Sequence, residues 1–197
     1  MKKTQLLIAF ALLISVALAS CSKDKNDAGN SSNNNPGNDS VTYIINGGSF
    51  VNKHISFHSD PKQNQNGASA GHIGYLKINL TDTPPGGSTV TQGLDIAYPQ
   101  ATTGTANVND PINNIYPGNT DKHAYFLLQL QENGKNRILD RDSENPSNTP
   151  GKITITKCES VGGVVEGDFS GTVSDGTGSN APKYIITKGH FVVTRKS

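Results

Sequence analysis

From residue 41 onward the chain alternates apolar and polar positions in short runs, separated by clusters of Gly, Pro, Asn and Asp. Phe126, Leu128 and Leu130 share one face of an extended segment, and Gln129 and Gln131 share the other. A period of two with one polar face is the pattern of a half-buried strand. Asn133-Gly134 follows at once, and Ile138 and Leu139 resume the apolar pattern. Both turn residues tolerate positive φ, as a type I′ hairpin requires. Asn46-Gly47 and Asp175-Gly176 are looser signals of the same kind, and Pro84-Pro85-Gly86-Gly87 is a turn or loop. The pattern predicts strands at 42–46, 49–57, 73–80, 89–98, 124–131, 137–140, 152–158, 164–173 and 184–194. No stretch keeps a helical period beyond two turns. Evenly spaced short strands without helices predict an all-β fold, an antiparallel β-sandwich with a small β-barrel as the alternative.

The pattern changes before residue 41. Lys2 and Lys3 precede an uncharged apolar run at 6–19, which closes in Leu18-Ala19-Ser20-Cys21. A membrane-spanning helix needs about 20 apolar residues. A shorter run behind two lysines, ending in small residues, fits the core of a signal peptide. Leu18-Ala19-Ser20-Cys21 resembles the lipobox of bacterial lipoproteins. The resemblance implies cleavage before Cys21, a thioether-linked diacylglycerol on Cys21 and acylation of the new amino terminus. An ordinary secretory signal with a chance cysteine is the alternative. Each buried CH₂ contributes about 0.8 kcal/mol, so three acyl chains hold far more firmly than one. The expected organisation is a cleaved signal peptide at 1–20, a lipidated disordered tether at 21–40 and a single all-β domain at 41–197.

Apart from Pro36, the tether segment 22–40 has no apolar side chain larger than that of Ala28, and it is dense in Asn, Ser and Gly. Such a chain cannot bury enough surface to offset its entropy. As a flexible coil it spans about 25 Å root-mean-square. Ser22-Lys23-Asp24-Lys25 resembles the charged export signals of Bacteroidota surface lipoproteins, with fewer consecutive acidic residues than those signals carry. A linker merely rich in Lys and Asp explains Ser22, Lys23 and Asp24 equally well. Ser22 is not the Asp that, after the lipidated cysteine, marks inner-membrane retention in lipoproteins of other Gram-negative bacteria. The resemblance therefore implies a lipid anchor in the outer membrane, with the domain on the cell surface or on the periplasmic face. Asp39-Ser40-Val41 resembles an O-glycosylation site of the same bacteria, with Ser40 as acceptor at the junction of tether and domain.

A further resemblance covers about a quarter of the chain. It is carried by Gly151-Lys152-Ile153-Thr154-Ile155-Thr156, by Val165-Glu166-Gly167-Asp168-Phe169-Ser170-Gly171, and by the closing Gly189-His190-Phe191. This looks like the C-terminal pattern of small Bacteroidota lipoproteins of unknown function. It implies a compact β domain on a lipid tether and brings no catalytic residues with it.

Charge and cysteine content narrow the partners. Removing residues 1–20 leaves 15 basic and 16 acidic side chains, too little positive charge to neutralise a phosphate backbone, so no nucleic-acid partner is expected. Once Cys21 is lipidated only Cys158 remains, so no intramolecular disulfide can form. A folded part of this length supports a core without staples.

Several residues invite a chemical reading. Gly67-Ala68-Ser69-Ala70-Gly71 matches the Gly-x-Ser-x-Gly nucleophile elbow, but that elbow needs a strand before it and a helix after it. A polar loop enters here and a strand leaves, so a small-residue loop is expected. His54 and His58 fall on the polar face of one strand, opposite Val51, Ile55 and Phe57, and His72 is the third histidine near them. Zinc needs three or four converging ligands, so surface histidines are the default. Asp140, Asp142 and Glu144 alternate like the start of an EF-hand, yet Asn145 and Gly151 stand where that loop needs Gly and Glu. A looser calcium site stays open beside a solvated acidic loop. For a glycosidase pair, Glu132 lies at a hairpin tip, Glu144 in a loop, and Glu159 is the remaining glutamate beside Glu166. Glu166 and Asp168 share a strand face near the spacing of a retaining pair, or simply form its wet side. Cys158 is expected to behave as a small hydrophobe.

No catalytic constellation, metal or cofactor is expected from these patterns. The expected function is a lipid-anchored outer-membrane lipoprotein whose non-catalytic β domain binds an envelope protein or a glycan. The alternative is a cell-envelope hydrolase acting on polysaccharide or peptide. The chain has no Trp, so Tyr98 and Tyr116, beside prolines, are the candidates for ligand stacking; either could equally pack against the sheet edge.

Overall fold

The computed structural model describes residues 39–59, 67–70, 75–83, 90–113, 122–142, 144–178 and 180–197. Eleven strands form two antiparallel sheets: β1 (Ser40–Gly47), β2 (Phe50–His58), β3 (Gly67–Ala70), β4 (Leu76–Asp82), β5 (Gln92–Tyr98), β6 (Gly104–Asn107), β7 (Tyr125–Glu132), β8 (Lys135–Leu139), β9 (Gly151–Cys158), β10 (Val164–Ser174) and β11 (Lys183–Thr194). The six-stranded sheet has the order β2-β1-β11-β10-β9-β6 and the five-stranded sheet the order β3-β4-β5-β7-β8. The inner faces pack on each other as a β-sandwich, and the sheets do not close into a barrel. Backbone hydrogen bonds also link them at their edges. The amide of Lys196 donates to the carbonyl of Ala68 at 2.7 Å, and Asp140 and Ser174 exchange backbone hydrogen bonds of 3.0 and 2.8 Å.

Alternation explains the core. Leu94 and Ile96 of β5 meet Leu128 and Phe126 of β7 directly across the ladder, all of them buried. Phe169 is the hub of the aromatic core, with ring centroids 5.2 Å from Phe126 on the opposing sheet, 6.0 Å from Tyr43 and 6.5 Å from Phe191. Two tripeptides of identical form cross in antiparallel register: Gly167-Asp168-Phe169 on β10 and Gly189-His190-Phe191 on β11, with Gly167 opposite Phe191 and Phe169 opposite Gly189. Each phenyl lies over the glycine across from it. A Cβ on Gly189 would stand 2.8 Å from the Phe169 ring, and one on Gly167 would stand 2.7 Å from the Phe191 ring. The glycines are therefore the space into which the two rings fold.

Three details depart from the sequence pattern. β3 and β6 are strands that the pattern did not predict. β3 is made of small residues, and β6 has one inward residue, Ala106. In β2, Phe50 is buried while Val51 is 81% exposed, so Val51 does not share a face with Phe57. Asn52 causes the change of phase: its φ is +46°, its amide donates to Oδ1 of Asn46, and the register against β1 slips there. The first strand begins at Ser40, and the residue before it is already packed. Asp39 is already buried, and its carboxylate accepts the amide and the hydroxyl of Thr194 at 2.8 and 2.9 Å.

Candidate functional site

The outer face of the six-stranded sheet gathers more polar chemistry than any single motif in the sequence. The crossing that turns Phe169 and Phe191 inward must turn Asp168 and His190 outward, because successive side chains alternate. Register then lays a row across five strands: Thr42 pairs with His190, His190 with Asp168, Asp168 with Thr154, and Thr154 with Thr105. His190 Nδ1 lies 2.8 Å from Asp168 Oδ1, and Nε2 lies 3.5 Å from Glu166 Oε1. The Thr105 and Thr154 hydroxyls are 3.1 Å apart.

Beside this row lies a basin of about 490 Å³, floored by Phe169 and Gly189 and lined by Lys152, Thr154, Asp168, Ser170, Lys188 and His190. Lys188 reaches it through an irregularity. Between the pairs Phe169–Gly189 and Gly171–Ile186, β10 supplies one residue and β11 supplies two. Against β1 the slip falls at the same place, between Thr42 and Ile44. The extra residue makes a β-bulge, and Lys188 sits in it with φ +51°. Consecutive residues Thr187 and Lys188 are both exposed as a result. Neither Lys152 nor Lys188 has an ion-pair partner among the described residues, whereas both carboxylates face His190.

The arrangement limits what the cluster can do. A metal would need the imidazole and both carboxylates to point at one centre; here the ring stands between the acids and offers each a different nitrogen. Among the described residues no group of three or more His, Cys, Asp or Glu is placed to hold a metal ion. The gap that a glycosidic oxygen would occupy between Glu166 and Asp168 is taken by the same ring. Ser170 and His190 line one basin, yet both imidazole nitrogens face carboxylates, so neither is turned to the hydroxyl.

The other candidates are scattered. Tyr98 is 1% exposed and packs in the core, so its ring has no free face for stacking and that expectation is corrected. Tyr116, Cys21, Ser22, Lys23, Asp24 and His72 lie outside the described residues. Ser40 is half-buried as the first residue of β1, paired with His58 and Val192 rather than lying in a tether. Ser69 lies on β3 opposite Lys77, in a strand rather than the expected loop, and no helix follows an elbow there among the described residues. His54 and His58 are exposed on the edge strand β2. Cys158 packs against the core, with its Sγ 3.3 Å from the Ala101 carbonyl oxygen and 3.6 Å from Arg195 Nη1.

Two acidic residues prove structural. Asp142 is fully buried, and its carboxylate accepts the amides of Glu144 and Asn145 and the side-chain amide of Asn148 at 3.1, 3.0 and 2.9 Å. The Asn148 side chain first, then the Asn145 amide, hold its pKa below the usual carboxylate value. Its oxygens therefore organise a turn. Glu132 stands at the β7–β8 hairpin, where the sequence pattern places it, and is 4% exposed. It accepts the Ser49 amide at 2.6 Å, the Ser49 hydroxyl at 2.8 Å, the Tyr184 hydroxyl at 3.1 Å and Arg137 Nε at 3.2 Å. Arg137 continues to Asp175 at 2.6 Å.

Lys152, Ser170 and Lys188 had no distinguishing mark of their own in the sequence. The signal available was the repeated Gly-x-Phe: paired antiparallel, its two middle residues must meet on the outer face. No protein-family model matches this chain, and neither a curated protein nor a solved structure matches it.

Proposed function

We propose that the protein is a lipid-anchored outer-membrane lipoprotein whose non-catalytic β domain binds an envelope component, a glycan or a protein, through the outer face of the six-stranded sheet. The observation that carries the reading is the asymmetry of that sheet. Its inner side is sealed by aromatic packing, while its outer side presents the basin, its lysines and the Asp168–His190 pair to solvent. The lipobox-like Leu18-Ala19-Ser20-Cys21 supports the anchor. Binding sites commonly combine a concavity with a few convergent polar groups.

The test has two parts. Radiolabelled palmitate should enter the wild-type chain and the membrane fraction, and Cys21→Ser should abolish both. Protease shaving of intact cells should then remove the domain from wild type and spare it in Lys23→Ala/Asp24→Ala. Protection of both would assign the domain to the periplasmic face. For the face itself, a photo-crosslinking amino acid replacing Ser170 should capture an envelope component that the same probe at Gln131, on the other sheet, does not. Equal capture from both positions would sink the assignment of the face.

A further inference from the structure

We propose that the basin recognises a carboxylate-bearing saccharide, with Lys152 and Lys188 on the acid group and Ser170, Thr154 and Asp168 on the ring hydroxyls. The inference rests on the reading of this face as the binding surface and names the ligand class. Charge is the first argument. Glu166 and Asp168 flank His190, with Nδ1 2.8 Å from Asp168 Oδ1 and Nε2 3.5 Å from Glu166 Oε1. The two lysines have no ion-pair partner among the described residues, so their ammonium groups are the ones in this basin free to take an anion. Their company is the second argument. Two hydroxyls and a solvent-facing carboxylate line the same concavity, and these are donors and acceptors suited to a polyhydroxylated ring rather than to an apolar molecule. Lys188 is the third. A lysine at φ +51° is strained where glycine would be relaxed, and the bulge that imposes the strain turns this side chain to the rim of the basin. Strained backbone clusters at ligand-contacting positions, and the place of Lys188 at the rim of the basin fits that role.

A peptide is the competing ligand, and its natural route onto a sandwich is an exposed sheet edge. Of the two edges of this sheet, β2 is bulged at Asn52 and carries Lys53, His54 and His58, and β6 is four residues long. Both are blunted against strand addition.

The full chain in detergent micelles would be titrated calorimetrically. The probes are trisaccharides ending in galacturonic, glucuronic or sialic acid, their methyl esters, and a triglutamate peptide. At least one saccharide acid should bind about tenfold more tightly than its ester, because esterification removes the charge the lysines recognise. Lys152→Gln and Lys188→Gln should each erase that preference, and Lys135→Gln on the distant β7–β8 hairpin should not. Lys188→Gly sharpens the test: it relieves the positive φ, so the melting temperature should hold or rise while the preference is lost. Esters that bind as well as the acids, acids that all fail to bind, or a preference surviving both lysine substitutions would each overturn the proposal. Triglutamate binding with the same lysine dependence, and no saccharide binding, would replace the ligand class and leave the face as the binding surface. Failure of every probe together with no specific capture from Ser170 would remove both readings.

Discussion

Glu132 and Asp168 are both carboxylates facing a basic side chain, Arg137 and His190 respectively, and their surroundings set them to different tasks. Glu132 closes one end of the sandwich. Ser49 comes from the β1–β2 turn, Arg137 from β8, Asp175 follows β10 and Tyr184 belongs to β11, so one carboxylate ties both sheets together. Its oxygens are supplied with four donors and almost no water. Asp168 has its partner too, but its side chain is 59% exposed and stands at the rim of a basin. A charge pair sealed by donors fixes the fold, and the same kind of pair left open to solvent adds little to it. What the open pair offers instead is a polar patch beside two lysines that have no ion-pair partner among the described residues.

The most direct way to break this comparison is to remove each carboxylate in turn. Glu132→Ala would leave the buried Tyr184 phenol and the Ser49 amide without their acceptor, while Arg137 keeps Asp175, and should cost about 2–4 kcal/mol. Asp168→Ala should cost less than about 1 kcal/mol. Urea unfolding curves with equal slopes would report the difference as a shift in midpoint. Similar losses for the two variants would show that the outer cluster is a structural node like the first.

Acid sharpens the same contrast. The Ser49 amide foremost, with the Ser49 hydroxyl, Tyr184 and Arg137, outweighs burial and holds the Glu132 pKa below the usual glutamate value. Asp142 is lowered in the same sense by Asn148 and neighbouring amides. A depressed folded-state pKa contributes stability that is present above the unfolded value and disappears as pH falls through the folded value. Melting temperature should therefore drop as the pH is taken below the ordinary carboxylate range, and Glu132→Gln should drop less steeply. Parallel curves for the two proteins would remove Glu132 from the account.

The strands show where physical inference from the chain succeeds. Nine of them fall where the sequence carries alternating or β-branched apolar runs, and in strands such as β1 and β7 the alternation buries one face. β3 and β6 escape because Gly67-Ala68-Ser69-Ala70 and Gly104-Thr105-Ala106-Asn107 bring too few large apolar residues to show a period. Val51 was placed on the wrong face because one left-handed residue, Asn52, inverts everything before it. Tyr98 looked available because Pro99 suggests a loop, yet it is the last inward position of β5. The site was hardest to see. Lys152, Asp168 and Lys188 come together only through the register of three strands and a bulge, and neither composition nor local spacing encodes register.

The smallest effect expected tests the same idea from the opposite sign. Asp140 lies at the contact between the sheets, where its backbone pairs with Ser174. Burial raises its carboxyl pKa, against the lowering by the Arg141 amide and by the charges of Arg141 and Lys77. Unlike Glu132, this carboxylate lacks enough donors to offset its desolvation. A raised folded-state pKa means stability that is full below the unfolded value and declines as pH rises through the folded one. Asp140→Asn removes the charge and keeps an oxygen for the Arg141 amide, which Oδ1 accepts at 2.6 Å. The variant should melt slightly higher than wild type at neutral pH, and the gain should vanish in acid, where the aspartate is itself neutral. A lower melting temperature at neutral pH would mean that the Arg141 and Lys77 charges outweigh burial. Asp140 would then belong with Glu132, as a carboxylate that holds the sheets together rather than one tolerated between them.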